Sequence, residues 1–425
     1  MGWPRLAYST ALHLLVPLLW RRLRREHGLT DPRPLRLGRI PETPPAIHML
    51  WLHCASVGEV QAARPLIEGL LERYPGHSLT VTTMTATGAE RVRALAEGRQ
   101  DGRLVHHFVP LDFPRAAARF VERLRPEIAL FFETELWPNL LHACRTRGVP
   151  VAVLNGRLSP RALRGYRRLR PLLREALGCV DWLAAKSDED AARFAELGMA
   201  AERTSVVGSL KFDITPEDGV QKVSERLRTL LGRRQVWVAG STHEGEEALL
   251  LAAHGRLRES YPEALLVLVP RHPQRFEAVA SLCEQAGQAL ARRSRGERPE
   301  DGTAVYLADT MGELLALYGA ADLAFVGGSL VPVGGHNLLE PAALGIPVLT
   351  GPELANFADV AEALRGADAL VEVADEKRLA EALFALFADT VERRRLGEAG
   401  RGVVMANRGA LERTLKGLDR LLPTK

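Results

Sequence analysis

Residues 48–84 read "HMLWLHCASVGEVQAARPLIEGLLERYPGHSLTVTTM". An apolar run of strand character, HMLWLH, gives way to helical periodicity from about 59 to 74. Pro75-Gly76 then breaks the chain, and a second β-rich run, LTVTTM, closes the stretch. A strand, a crossover helix and another strand make a βαβ unit, whose two strands lie parallel. The pattern repeats outward from there: RLVHHFVP (103–110), EIALFF (127–132) and VAVLN (151–155) each precede a helical segment, near 114–124, 138–147 and 160–177. It pauses across KFDITPEDGVQKVSERL (211–227). It resumes with QVWVAGS (235–241), ALLVLVP (264–270), AVYLAD (304–309), DLAFVGGS (322–329), IPVLT (346–350) and ALVEV (369–373). The expected architecture is α/β: two doubly wound parallel-sheet domains, residues 41–211 and 212–425, behind an N-terminal segment 1–40.

Composition sets the frame. The 425 residues are 46% hydrophobic and 25% charged, which is globular and long enough for two cores. Cys54, Cys144, Cys179 and Cys283 are scattered without a CxxC pair, so neither a disulfide framework nor a cysteine zinc site is expected, and a reducing cytoplasmic setting follows. The net charge of +4 is local in origin: residues 1–40 hold eight arginines against Glu26 and Asp31, leaving the rest of the chain slightly acidic. The apolar run LAYSTALHLLVPLLW (6–20) precedes Arg21, Arg22, Arg24 and Arg25. It is shorter than the roughly 20 residues a bilayer demands, and its charges follow the apolar run, the reverse of a signal peptide. An uncleaved anchor at an anionic cytoplasmic leaflet is expected, dispensable for chemistry in detergent; the alternative is an amphipathic helix packed on the body.

In open parallel sheets ligands bind at the carboxyl ends of strands, so each strand-to-helix junction is a candidate site. GxGxxG and GxxxxGK[ST] are both absent there, which disfavours dinucleotide oxidoreductases and P-loop enzymes. Thr87 with Glu90 and Ser241 with Glu244 read as capping boxes. HEGEE (243–247) lacks the second histidine of a zinc motif, and His106-His107 has no partner spacing. Glu59, beyond the first strand, is either a cap or a reactive group. Glu133 and Glu135, in FFETELWPN (131–139), share one face of an extended segment near it, and carboxylates crowded at a sheet edge shift in pKa. Arg157, Arg161, Arg164 and Arg168 form a basic stripe suited to a phosphate-bearing ligand; without interleaved aromatics it does not favour nucleic acid. FVGGSLVPVGGHNLLEPAALGIPVL (325–349) offers free backbone N–H groups and a helix start near His336-Asn337 for an anion, with Glu340 suited to a ribose.

The motifs HCASVGEV (53–60), TVTTMTATG (80–88), FFETELWPNL (131–140), NGRLSPR (155–161), GSLKFD (208–213), AGSTHEGEE (239–247), VPRHPQRF (269–276), LADTMGEL (307–314) and GGHNLLEPAALG (334–345) together resemble the 3-deoxy-D-manno-octulosonic acid (Kdo) transferases of lipopolysaccharide assembly. The resemblance spans nearly the whole chain in order; Gly156 and Ser209 are its small departures. It implies a GT-B glycosyltransferase with two Rossmann-like domains facing a cleft, an acceptor-binding N-terminal one and a CMP-Kdo-binding C-terminal one. The implied reaction moves Kdo from CMP-Kdo to lipid IVA with inversion, without metal or cofactor, at the cytoplasmic face of the inner membrane. By the same resemblance Glu59 is the general base, kept ionised by a helix N-terminus. Glu133 and Lys211 stabilise the transition state. Arg271, His272, Met311, Gly312, Glu313, Asn337, Leu338, Leu339 and Glu340 bind CMP. From the residues alone, a GT-B enzyme using a UDP-sugar and a non-catalytic lipid A-binding scaffold remain as rivals.

Overall fold

The computed structural model describes residues 2–18, 21, 33–44, 47–99, 101–213 and 219–422. The chain forms two compact units, Met1–Asp213 with Arg408–Lys425, and Ile214–Asn407. The first is built on seven parallel strands: β1 (His48–His53), β2 (His77–Thr83), β3 (Leu104–Phe108), β4 (Ile128–Phe132), β5 (Val151–Gly156), β6 (Trp182–Ala185) and β7 (Thr204–Val206). The second has another seven: β8 (Val236–Thr242), β9 (Leu265–Pro270), β10 (Leu290–Arg292), β11 (Val305–Leu307), β12 (Leu323–Val326), β13 (Val348–Thr350) and β14 (Leu370–Glu372). The orders are β3-β2-β1-β4-β5-β6-β7 and β10-β11-β9-β8-β12-β13-β14. The direction of winding therefore reverses between β1 and β4 in one sheet and between β8 and β12 in the other. Reversal points of this kind open a crevice at the strands' carboxyl ends.

Both faces of the first sheet are covered, as parallel sheets require. Trp51, Phe131 and Val153 enter one apolar core, whereas Leu50, Leu52, Leu130, Phe132 and Leu154 enter the other. Alternate residues of a strand thus serve opposite layers. Two expected helices are broken in the structure. The segment near 59–74 divides into Val57–Ala62 and Arg64–Arg73, and the one near 160–177 into Pro160–Tyr166, a 3-10 turn Arg167–Leu169 and Arg170–Leu177. Pro65 and Pro171 each stand at the start of the following piece, where a missing N–H costs nothing.

The expected second domain ran to residue 425, but the helix Ala410–Leu418 returns to the first unit. Its Leu411 and Leu415 approach Gly69, the Asp213 carboxylate accepts from the N–H groups of Gly409 (2.6 Å) and Leu411 (2.5 Å), and Gly417 lies so close to the Trp182 ring that a Cβ would meet it at 2.2 Å. An amphipathic helix advertises an apolar face in sequence but not the surface that face will cover.

The N-terminal helix Trp3–Leu14 packs through polar as well as apolar residues. Its polar residues Arg5 and Ser9 are buried: the Arg5 guanidinium lies 3.5 Å from Glu175, Asn139 Nδ2 donates to Ser9 Oγ at 3.1 Å, and Tyr8 bonds Asp112. Several of its apolar side chains face outward, with Trp3 74%, Leu6 56% and Leu14 77% exposed, as is Leu18 (63%) beyond its end, while Leu12 packs against Leu111, Phe113 and Ala116. Among the described residues no helix is long and apolar enough to cross a membrane. Residues 19–20 and 22–25, with most of the basic cluster, lie outside the described residues.

Candidate active site

The winding reversal in the first sheet gathers the acidic residues singled out above. β1 ends at His53, and Ser56 caps the short helix Val57–Ala62 by accepting from the Glu59 N–H at 3.3 Å. The Glu59 carboxylate reaches back to accept from the Ala55 N–H at 2.7 Å. This is a reciprocal capping box, so Glu59 is indeed a cap. It is more than that. Burial, reinforced by Glu135 and then Glu133, pushes its carboxyl up to about 8, against the lowering effect of the Ala55 and Ser56 bonds. The expectation of a carboxylate held ionised by its helix is therefore corrected: the helix is only six residues long, and desolvation and like charge outweigh its dipole.

Glu133 follows β4, the neighbour of β1. Its N–H donates to the Leu154 carbonyl at 2.9 Å, extending the β4–β5 ladder, while its φ of 59° turns the chain sharply out of the strand. Glu133 and Glu135 therefore do not share a face of an extended segment, contrary to expectation. Glu135 instead accepts from the Trp137 indole N–H at 2.6 Å and lies 3.5 Å from Nε2 of His53. Burial alone would raise its carboxyl, but His53 and Trp137 hold it below the usual carboxylate range. Glu135 thus keeps its charge and helps to raise Glu59. The buried Cys54 thiol registers the same crowd, being pushed up by burial and then by Glu59, Glu133 and Glu135.

Lys211 comes from farther along the chain. It sits half-buried on the 3-10 turn Leu210–Phe212, whose Leu210 N–H donates to Asn155 Oδ1 at 3.3 Å. Asn155 is the penultimate residue of β5, next to β4, and itself has φ 53°. Ser241, at the end of β8, has φ 56°. Three of the five left-handed non-glycine residues among those described thus stand where a central strand meets a candidate site. Strain of this kind persists only where the surroundings enforce it.

In the second unit, Arg271 and His272 follow β9, Met311, Gly312 and Glu313 follow β11, and Asn337 to Glu340 lie beyond β12. All occupy one edge of the sheet. Asn337 Nδ2 donates to Glu340 Oε1 at 3.2 Å, and Glu340 is raised by burial, with Arg271 among the groups pulling it back. Met311 is 57% exposed. Glu313 pairs with Arg293 and Thr310 beside an open cavity of 380 Å³ that Arg298 and Tyr306 also line.

Several expectations here are revised. Part of the glycine-rich loop is already engaged: the N–H groups of Gly328 (2.7 Å), Ser329 (3.0 Å) and Leu330 (3.0 Å) donate to the fully buried carboxylate of Glu246, as does His243 N–H at 2.9 Å. Ser241 does not cap Glu244, because Ser241 belongs to β8 and the helix begins only at Glu246. The other supposed box fails similarly, since Thr85, not Thr87, caps its helix by accepting from the Gly88 N–H at 3.1 Å. The helix start near His336-Asn337 is the five-residue helix Leu339–Ala343.

Two histidines outside the expected site set complete this edge. His243 Nε2 and His336 Nε2 lie 2.8 Å apart, and His272 stands edge-on to His243 at 5.2 Å between ring centroids. A Cβ at Gly328 would meet the His336 ring at 2.8 Å, and φ there is +68°, so a glycine is needed to admit the imidazole. Burial, then His243, Arg271 and His272, lowers His336 to about 4, and burial lowers His243. Both rings are neutral at pH 7, one donating to the other. In sequence HEGEE lacks the second histidine of a zinc motif, and His336 reads as part of a helix start suited to an anion. The arginine stripe is interrupted by the turn Arg167–Leu169, yet Arg161, Arg164 and Arg168 are exposed, and among the described residues no ion pair engages them.

Comparison with known proteins agrees with this arrangement. Residues 32–214 match the family model "3-Deoxy-D-manno-octulosonic-acid transferase (kdotransferase)", and residues 242–403 match "Glycosyl transferases group 1". The chain is 41% identical to a 3-deoxy-D-manno-octulosonic acid transferase of Bordetella pertussis over 97% of its length and 98% of that protein's. It is 41% identical to one of Haemophilus influenzae, covering 86% of this chain and 85% of that one. In fold alone it is similar to a UDP-GlcNAc 2-epimerase from Neisseria meningitidis: TM-score 0.58, 14% identity, 88% of this chain and 100% of that chain. With two parallel-sheet Rossmann-like units of the GT-B class, and identity of this degree along nearly its whole length, the chain belongs to the 3-deoxy-D-manno-octulosonic acid (Kdo) transferase family of glycosyltransferases.

Proposed function

We propose that the protein transfers Kdo from CMP-Kdo to the lipid A precursor lipid IVA, in lipopolysaccharide synthesis, by a single inverting displacement. The first unit provides acceptor and chemistry, and the second holds the donor nucleotide. The observation that carries the reading is the cluster of Glu59, Glu133 and Glu135 at the β1/β4 reversal. A carboxylate whose proton affinity is raised to about 8 is a much stronger base than a free one, and near neutral pH it is poised to exchange a proton. In the reaction Glu59 takes the proton of the acceptor hydroxyl as its oxygen bonds the anomeric carbon. The bond from that carbon to the CMP phosphate oxygen breaks on the opposite face, and CMP departs with the electron pair. Glu133 favours positive charge developing on the sugar, and Lys211 the negative charge on the leaving phosphate.

In the second unit Arg271, His272, Met311 to Glu313 and Asn337 to Glu340 are assigned to CMP, with the neutral His243–His336 pair beside Arg271 as further donors to an anionic group. We also place the enzyme at the cytoplasmic face of the inner membrane. The outward apolar face of helix Trp3–Leu14 supports this, as do the unpaired arginines Arg161, Arg164 and Arg168, which suit acceptor or headgroup phosphates. The test is mass spectrometry of the purified protein with CMP-Kdo and lipid IVA. Growth of the acceptor by one or more Kdo masses, with CMP released, is the expected result. Transfer from a UDP-sugar instead, or an unchanged acceptor, would overturn the proposal.

A further inference from the structure

We propose that His48, His77 and Glu127 form a binding site for a divalent transition-metal ion, zinc being the favoured occupant, at the edge of the first sheet opposite the carboxylate cluster. His48 opens β1 and His77 opens β2, and the two are direct register partners. Glu127 immediately precedes β4, and its N–H donates to the Met49 carbonyl at 2.8 Å. Nδ1 of His48 lies 2.5 Å from one carboxylate oxygen of Glu127, and Nε2 of His77 lies 3.1 Å from the other. All three ligand atoms fall within 4.8 Å of one another.

Two imidazoles and one carboxylate are a donor set that zinc takes in three-ligand sites, with water in the fourth position. Tetrahedral bonds of about 2.0–2.1 Å place neighbouring donors about 3.3 Å apart. The two histidine–carboxylate separations, 2.5 and 3.1 Å, fall below that value, so the side chains must part by a few tenths of an ångström to admit an ion. The ligands start from adjacent strand ends whose backbones are fixed by the ladder, which limits the ordering cost. His48 is 49% and Glu127 39% exposed, leaving room for entry and for a water ligand. Imidazole donors select zinc, nickel or copper over magnesium and calcium.

A bound ion would clamp β2, β1 and β4 together at their starts. The six residues of β1 separate it from the catalytic edge by about 20 Å, at about 3.3 Å per residue. The site is accordingly independent of the proposed reaction and stands or falls separately from it. The experiment compares metal-stripped full-length protein with His48→Gln and Glu127→Gln, each confirmed folded by circular dichroism. Equilibrium dialysis against zinc chloride should show one more zinc per chain in the wild type than in either variant. Zinc at about a hundredfold excess over its Kd should raise the wild-type Tm by about 5–10 °C and leave both variants unmoved. Cobalt(II) substituted for zinc should give the visible absorption of a four-coordinate ion in the wild type alone. Zinc held at other histidines would appear equally in all three proteins. Equal stoichiometry across them, or no difference in thermal shift, would overturn the proposal and leave the trio as a carboxylate bridging two imidazoles.

Discussion

Replacing Glu59 by glutamine should make the protein more stable while nearly abolishing turnover, and the stability gain should grow with pH. In the folded chain burial and the neighbouring carboxylates place the Glu59 carboxyl at about 8, against 4.5 when unfolded. Between these values the native state binds more protons than the unfolded state, so stability falls as pH rises, by about 1.4 kcal/mol per pH unit. The wild type therefore forfeits about 3 kcal/mol by pH 7 and about 5 kcal/mol by pH 9, and nothing below pH 4. Glutamine has no such equilibrium and keeps an oxygen that can accept from the Ala55 N–H. Urea unfolding at pH 4.5, 7 and 9 should show the variant close to wild type at the first and ahead by these amounts at the others. Meanwhile kcat/KM should fall by roughly two to four orders of magnitude, the usual worth of a general base, with CMP affinity retained. The wild-type kcat/KM should climb with pH and level near 8. A stability difference independent of pH would refute the raised proton affinity, and near-normal turnover would return Glu59 to a purely capping role.

Glu135→Gln removes the largest single charge acting on Glu59, so the rising limb of the pH–rate profile should move to lower pH; an unmoved limb would show that Glu135 does not set it. Glu133→Ala should depress kcat far more than it raises the donor KM, because the proposed role lies in the transition state, and an effect on KM alone would make it a binding contact. Glu246→Ala orphans four buried N–H groups and should cost about 3–5 kcal/mol in denaturant unfolding together with CMP affinity; an unaffected loop would mean that other groups satisfy it. Serine at Leu6, Leu14 and Leu18 together should reduce flotation with anionic vesicles at least tenfold and spare activity in detergent. Undiminished flotation would remove the helix from the membrane surface. Deleting residues 1–20 is a poorer experiment than the sequence suggested, since it strips Arg5 from Glu175 and Tyr8 from the buried Asp112.

The central strands were legible because burial on both faces forces continuous apolar runs, as in Ile128–Phe132 and Leu265–Pro270. The short peripheral strands Trp182–Ala185, Thr204–Val206 and Leu290–Arg292 escaped, because three or four residues at a sheet margin need neither a long apolar run nor β-branched enrichment. The N-terminal helix was half legible. Its composition announced an apolar face, but only the packing reveals that Arg5 and Ser9 point inward.

The candidate site divides along the same line. Glu59 and Glu246 both stand at helix starts within runs of Ser, Thr, Gly and Glu, and local pattern treats them alike. Glu59 accepts from Ala55, four residues away, and is then set apart by Glu133 and Glu135, which arrive from β4 and leave it short of compensating donors. Glu246 is buried more deeply, yet it receives N–H groups from Gly328, Ser329 and Leu330, more than eighty residues on, and is fully satisfied. A buried carboxylate surrounded by donors holds a loop in place, whereas one crowded by other carboxylates holds a proton loosely enough to exchange it near neutral pH. The residue type and its capping position are local; the neighbours that make one carboxylate satisfied and the other crowded are brought by the sheet topology.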